Sequence, residues 1–299
     1  MSLPPPPHRR PRVSRRALLG GALAGAAALS GCRSGGSGTR SATPPPTVAA
    51  LVARDPFYVA HRGGGGDWPE MTAYAYQQAS LLPGLQAVEV SVCLSADGVL
   101  VCSHDPTTTR VTGVPYTIAQ QPWSTLSTLQ VSAAQTTDPA QPARPLTRFD
   151  EVVEAHADRF VMFVEAKVPT AVAPLMAAMS GLNHPERVVW KQYVNGSTFV
   201  EAKERGFTTW GYVLDEPAHL GDNLTRYAAS PSIDLLGAPI GESDGFVTDV
   251  VTAATTNGKP TVIWPIASAT QRDRALELGG RGLMTSTIAE LLGATRAPG

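Results

Sequence analysis

Seven side chains stand where chemistry could be done. His61 and Arg62 close the apolar run FYVAHR (57–62) and lead into four glycines, and His104 and Asp105 close SADGVLVCSHD (95–105). Glu89 lies inside AVEVSVCL (87–94), while Glu165 and Lys167 end RFVMFVEAK (159–167). A carboxylate inside an apolar strand is costly unless it is paired or binds a cation, and two such carboxylates suggest a cation. Imidazoles beside a cation and two basic side chains suit cleavage of an anionic ester. One ring takes a proton from the nucleophile while the other protonates the leaving oxygen. The cation, Arg62 and Lys167 would stabilise charge on the reacting group. Spacing alone does not separate phosphate from other anions. A lone histidine is usually structural, and His156, His184 and His219, in helical or loop contexts, are read that way.

The elements that would position these groups alternate along the chain. Besides FYVAHR, AVEVSVCL and RFVMFVEAK, the runs RVVWKQY (187–193), TTWGYVLD (208–215), DLLGAPI (234–240), PTVIWPI (260–266) and GLMTS (282–286) read as strands. Helical stretches such as MTAYAYQQASLL, RFDEVVEAHA and FVTDVVTAATTNG lie between them. Eight strands alternating with helices predict an α/β fold of parallel βαβ units, and eight close a (β/α)8 TIM barrel. An open doubly wound sheet is the alternative, but its glycine fingerprint fails here, because Trp68 stands at the third glycine position after Gly63 and Gly65. In a barrel, catalytic groups collect at the carboxyl ends of strands, where His61, Arg62, Glu165 and Lys167 lie. Alternation puts Glu89, Ser91 and Cys93 on one face of the second strand. GESDG (241–245) mimics a serine-hydrolase elbow, yet no histidine follows His219 to complete the triad.

HRG, PE five residues later, VEVSV, ADGVLVCSHD, Arg110 and VTG together resemble the signature of the glycerophosphodiester phosphodiesterase family. PLTRFDEVVE, FVEAK, VIWPI and GLMTS resemble its later blocks in the same order, over about residues 57–292. The resemblance implies a TIM barrel with a small insertion after the second strand, into which residues 106–145 fit. It also implies hydrolysis of glycerophosphodiesters to glycerol 3-phosphate and an alcohol, with a divalent metal, calcium or magnesium. Carried onto this chain, His61 and His104 would be the acid/base pair. Arg62, Lys167 and Trp264 would contact substrate, and Glu89 and Glu165 would be metal ligands.

The chain departs from that pattern at four places. Ser91 replaces the aspartate of an E-x-D pair, Met71 the asparagine after PE, Pro265 a threonine, and Ser286 an aspartate. The serine matters most, because a hydroxyl is a far weaker ligand for a hard cation than a carboxylate. Glu70 or Asp67 could compensate, or the metal could bind weakly. The resemblance therefore leaves two further readings open: a barrel that binds phosphodiesters or a partner with weakened turnover, and a related phospholipase acting on intact phospholipids.

The first residues read separately. Arg9, Arg10, Arg12, Arg15 and Arg16 precede the apolar run ALLGGALAGAAALSG (17–31). SRRALL resembles a twin-arginine export motif and LSGC a lipobox ending at Cys32, so residues 1–31 read as a lipoprotein signal peptide. Residues 32–50 then read as a flexible linker, and 51–299 as the barrel. Such a chain would be exported and held at the cell membrane, facing the extracytoplasmic side, by a lipid anchor on Cys32. Removing residues 1–31 takes away five arginines and no acids, moving the formal charge from -1 to -6. That sign, with no basic cluster, argues against nucleic acid as a partner and leaves a small-molecule diester. Cys93 and Cys102 remain; a disulfide and two buried thiols are both open.

Overall fold

Short runs rich in β-branched and aromatic residues fold as strands here, because each can turn one row of side chains inward and the other toward packed helices. In the computed structural model, which describes residues 46–293, they are β1 (Phe57–Ala60), β2 (Ala87–Leu94), β3 (Leu100–Cys102), β4 (Gln130–Val131), β5 (Arg144–Pro145), β6 (Val161–Ala166), β7 (Val188–Tyr193), β8 (Thr208–Tyr212), β9 (Leu235–Pro239), β10 (Thr261–Ile266) and β11 (Gly282–Thr285). The expected signal over 1–31 and Cys32 lie outside the described residues. Strands β2, β6, β7, β8, β9, β10, β11 and β1 pair in parallel in that order. Ala60 pairs with Val88, which closes the ring, so the fold is the (β/α)8 TIM barrel. β3 lies antiparallel on β2.

The helices are α1 (Val48–Val52), α2 (Ala73–Leu81), α3 (Thr109–Thr112), α4 (Trp123–Leu126), α5 (Phe149–His156), α6 (Pro169–Ser180), α7 (Phe199–Glu204), α8 (Asp222–Ala229), α9 (Asp244–Thr256), α10 (Ala269–Glu277) and α11 (Ile288–Leu291). α8 was not anticipated: in DNLTRYAA only Leu224 and Ala228 are buried, too sparse an apolar stripe to announce a helix. Ser243 of the serine-hydrolase mimic caps α9, its hydroxyl accepting the Phe246 N–H at 3.2 Å. α1 begins within the stretch read as linker, and Val48 and Leu51 close the amino-terminal end of the barrel against Phe57, Ala87, Val161 and Leu235.

Above that apolar floor the interior turns polar. Ser91 pairs with Glu165, Val164 with Trp190, and Lys191 with Trp210, so Ser91, Glu165, Lys191 and Trp210 form one inward row across four strands. β3, α3, α4, β4 and β5 form the insertion after β2, built on a small core of Cys93, Val101, Ile118, Leu126, Leu129, Val131 and Leu146. Both cysteines are free and buried. Cys93 pairs with Val101 and Cys102 with Val92, so their side chains leave the two-strand ribbon on opposite faces. A bond between them would need the strands to turn over.

Candidate active site

The loop after β1 turns within one residue. Arg62 adopts φ 55°, a left-handed conformation uncommon for a side chain of its size, and its N–H donates to Glu89 Oε2 at 2.8 Å. Gly64, at φ 90°, packs so closely under Trp68 that a Cβ would lie 2.8 Å from the indole ring. Gly66 lies against the Ser286 backbone and donates its N–H to the Ser286 carbonyl at 2.8 Å. The glycines thus fold the loop down onto the strand ends. Met71 is also left-handed, at φ 59°, where asparagine is better tolerated.

His61 is buried, with Nδ1 2.9 Å from Ser286 Oγ, which leaves Nε2 for chemistry. Burial pushes its pKa down to about 3; nearby Glu89 opposes this and Arg62 and Lys191 add to it, so the ring is neutral at ordinary pH. Ser286 was noted only as a departure; it is the hydroxyl that orients His61. His104 pairs through Nδ1 with Asp105 Oδ1 at 2.8 Å. Its pKa is lowered by burial and by the charges of Arg62 and Lys167, against the pull of Asp105. Asp105 in turn accepts from Arg110 Nε at 2.5 Å.

Glu70 is held by two guanidiniums, Arg62 at 3.0 Å and Arg110 at 2.6 Å, and they keep its carboxyl below the ordinary range despite burial. Arg110, from the insertion, was seen in the sequence only as part of the signature; here it joins Glu70 to Asp105. Asp67 turns away to accept the Ala289 N–H at 2.8 Å. Neither acid joins Glu89 and Glu165. Trp264 packs edge-on to Trp210 and Tyr212, with ring centroids 5.3 and 5.4 Å away, at the barrel interior.

Glu89 and Glu165 project inward from the neighbouring strands β2 and β6, the faces alternation gives them, and a cation stands between them. It is the ammonium of Lys191, 2.7 Å from Glu89 Oε1 and 2.7 Å from Glu165 Oε2. Lys167 lies 3.1 Å from Glu165 Oε1, Tyr212 Oη donates to that oxygen at 2.7 Å, and Ser91 Oγ donates to Glu89 Oε1 at 3.1 Å. The ammonium charges hold Glu165 below the ordinary carboxylate range against its burial, and Glu89 well below it. The two carboxylates in turn raise Lys191. Lys191 was passed over in the sequence, although a lysine inside RVVWKQY carries the same signal as Glu89 does in its own strand. Among the described residues, no group of three or more His, Cys, Asp or Glu side chains is arranged to hold a metal ion. With an ammonium already bridging the carboxylates, this donor set does not fit a divalent cation.

Beside the cluster opens a cavity of about 400 Å³, lined by His61, Arg62, Glu70, Thr136, Ser286 and Thr287 among others. Arg62 Nε and Thr287 Oγ1 are buried there with no hydrogen-bond partner among the described residues. Two unspent donors beside a neutral imidazole make a place for an oxyanion.

Fold and site together define a TIM barrel with two oriented histidines and unpartnered buried donors at its mouth. Residues 61–195 match the model of the Glycerophosphoryl diester phosphodiesterase family. A glycerophosphodiester phosphodiesterase of Arabidopsis thaliana is 42% identical over 59 residues, 20% of this chain and 16% of that protein. A probable glycerophosphodiester phosphodiesterase of Mycobacterium tuberculosis is 49% identical over 55 residues, 18% of this chain and 20% of that one. The matches thus span a fifth or less of these curated relatives. Among solved structures, a glycerophosphoryl diester phosphodiesterase of Agrobacterium tumefaciens superposes with a TM-score of 0.66 at 20% identity, covering 80% of this chain and 97% of that one. A phosphodiesterase of Oleispira antarctica, solved with sn-glycerol-3-phosphate, gives 0.62 at 18% identity, covering 80% and 96%. These likenesses establish the shared barrel.

Proposed function

We propose that this chain hydrolyses glycerophosphodiesters to glycerol 3-phosphate and an alcohol. The observation that carries the reading is the pair of oriented imidazoles, His61 on Ser286 and His104 on Asp105, beside the unspent donor Arg62 Nε. The phosphoryl oxygens bind Arg62 and Lys167, which neutralise the charge that develops as the attacking oxygen adds. Neutral His61 takes a proton from the attacking water through Nε2 as the water oxygen bonds to phosphorus. His104, whose Nδ1–H donates to Asp105, gives a proton through Nε2 to the departing alkoxide as its bond to phosphorus breaks. One proton is gained and one lost, so the pair is restored through solvent.

A small polar diester suits the cavity, because His61, Arg62, Glu70, Thr136, Ser286 and Thr287 line it with donors and acceptors. The test is a panel of glycerophosphodiesters and phospholipids with enzymatic assay of glycerol 3-phosphate. Release from the water-soluble diesters is expected; turnover of intact phospholipids alone would replace this reading with the phospholipase one, and no turnover with retained binding would favour the binding barrel.

Export and lipidation at Cys32 are part of the same proposal, on the strength of SRRALL and LSGC. Mass spectrometry of membrane-extracted protein should find a diacylated Cys32 as first residue; an intact amino terminus would defeat it.

A further inference from the structure

We propose that Lys191 is the cation of this site: its ammonium takes the place between Glu89 and Glu165 where the family resemblance puts a divalent metal, and the chain works on phosphodiesters without one. The inference rests on reading the mouth as a phosphodiester site, but its decisive measurement does not depend on turnover.

Every oxygen of the two carboxylates already has a donor. Glu89 Oε1 accepts from Ser91 and Lys191, and Glu89 Oε2 from the Arg62 N–H. Glu165 Oε1 accepts from Tyr212 and Lys167, and Glu165 Oε2 lies 2.7 Å from Lys191 and 3.4 Å from Ser91 Oγ. A divalent ion between the carboxylates would stand against an ammonium that is only 5% exposed and already in contact with both of them. Charge leads to the same conclusion. Two carboxylates meet two ammoniums, Lys191 and Lys167, so the cluster is neutral as it stands. A divalent cation would leave it doubly positive in a buried setting.

Two sequence features become one. Ser91 removes a negative charge from the row and Lys191 adds a positive one, and both sit at the level of Glu165 on β2 and β7, the two strands that flank β6. The serine hydroxyl has turned from a weak ligand into a donor that helps the lysine satisfy both glutamates. Lys191 acts as a positioning residue: it holds Glu89, Glu89 holds the Arg62 N–H, and Arg62 and His61 are neighbours on the loop. Arg62 and Lys167 are left to meet the phosphate directly.

Calcium and magnesium chlorides titrated calorimetrically into chelator-stripped protein decide the matter. The wild type is expected to show no saturable site, and its kcat/KM to change by less than about twofold on chelation, where loss of a catalytic metal costs orders of magnitude. The double variant Ser91→Asp/Lys191→Ser restores a carboxylate and removes the resident cation. It is expected to bind one equivalent of metal, and adding Glu165→Gln to abolish that. A wild type that binds one equivalent of either metal, lost in Glu165→Gln, overturns the proposal, as does a folded double variant that binds none. If the double variant does not fold, the wild-type titration decides alone. Absence of hydrolysis with and without metal would sink the phosphodiesterase reading while leaving the calorimetric result on the cation intact.

Discussion

The main-chain N–H of Arg62 donates to Oε2 of Glu89 at 2.8 Å, so one hydrogen bond joins the charged row inside the barrel to the loop that carries His61. The bond is available because Arg62 is left-handed, at φ 55°. A backbone held in that region costs on the order of 1 kcal/mol and persists only where its surroundings enforce it.

Arg62→Gly separates strain from chemistry. Glycine accepts the left-handed conformation, so the thermal midpoint is expected to stay within a few degrees of wild type, the lost pair with Glu70 offsetting the relief. Turnover is expected to fall on the order of 100-fold, since the phosphate loses its guanidinium. A variant with both properties intact would remove Arg62 from the substrate's contacts.

His61→Ala and His104→Ala are each expected to lower kcat by roughly 10²–10⁴-fold with far-ultraviolet circular dichroism unchanged. Asp105→Asn keeps the shape beside His104 and withdraws the charge that favours its protonated form, so it should move the alkaline limb of the pH–rate profile to lower pH. A profile identical to wild type would show that His104 does not supply the proton.

Lys191→Met leaves two carboxylates facing each other without a partner between them. Breaking a buried ion pair from one side costs about 3–5 kcal/mol, and denaturant unfolding should show a loss of that order. Adding Glu165→Gln removes one of the stranded charges and should recover part of it, a coupling that the double-mutant cycle measures directly. Strict additivity would mean that Lys191 and Glu165 do not share their stabilisation.

Acid should unfold the protein before its carboxylates titrate. His61 has a folded pKa of about 3 against 6.5 in the unfolded chain, and His104, His156 and His219 are lowered as well, burial leading in each case. The unfolded state therefore binds more protons below pH 6.5, and stability falls as pH drops from there toward 3. Thermal melts between those limits are expected to show the decline, and His61→Asn to flatten it. An unchanged slope in that variant would contradict the neutral buried ring.

The eight barrel strands were legible because each carries its own local pattern, and the positions of His61, His104, Glu89 and Glu165 followed from strand ends and alternation. The suggestion of a cation beside Glu89 and Glu165 was sound chemistry, since burying two carboxylates demands one. Its identity was not legible, because Lys191 lies 26 residues beyond Glu165 in sequence and meets it only through the β6–β7 register. Ser286 and Arg110 escaped a role for the same reason: each acts through a partner distant in the chain, on His61 and on Glu70. Glu70 is a ligand candidate by residue type and position, but Arg62 and Arg110 occupy its carboxylate.

A cation borne by a side chain obeys a different law of supply from one taken up out of the medium. Occupancy by a free ion follows its concentration and is lost when the surroundings are diluted or scavenged. The ammonium between Glu89 and Glu165 is present once per folded chain, at a local concentration set by the length of a lysine side chain. Its provision is written in the gene and renewed with every copy synthesised, so calcium- or magnesium-poor surroundings do not deplete it. The tether also fixes what the cation can do. A metal can open a coordination position and activate water, while an ammonium held in place can only hold charge, which leaves the movement of protons to the two imidazoles.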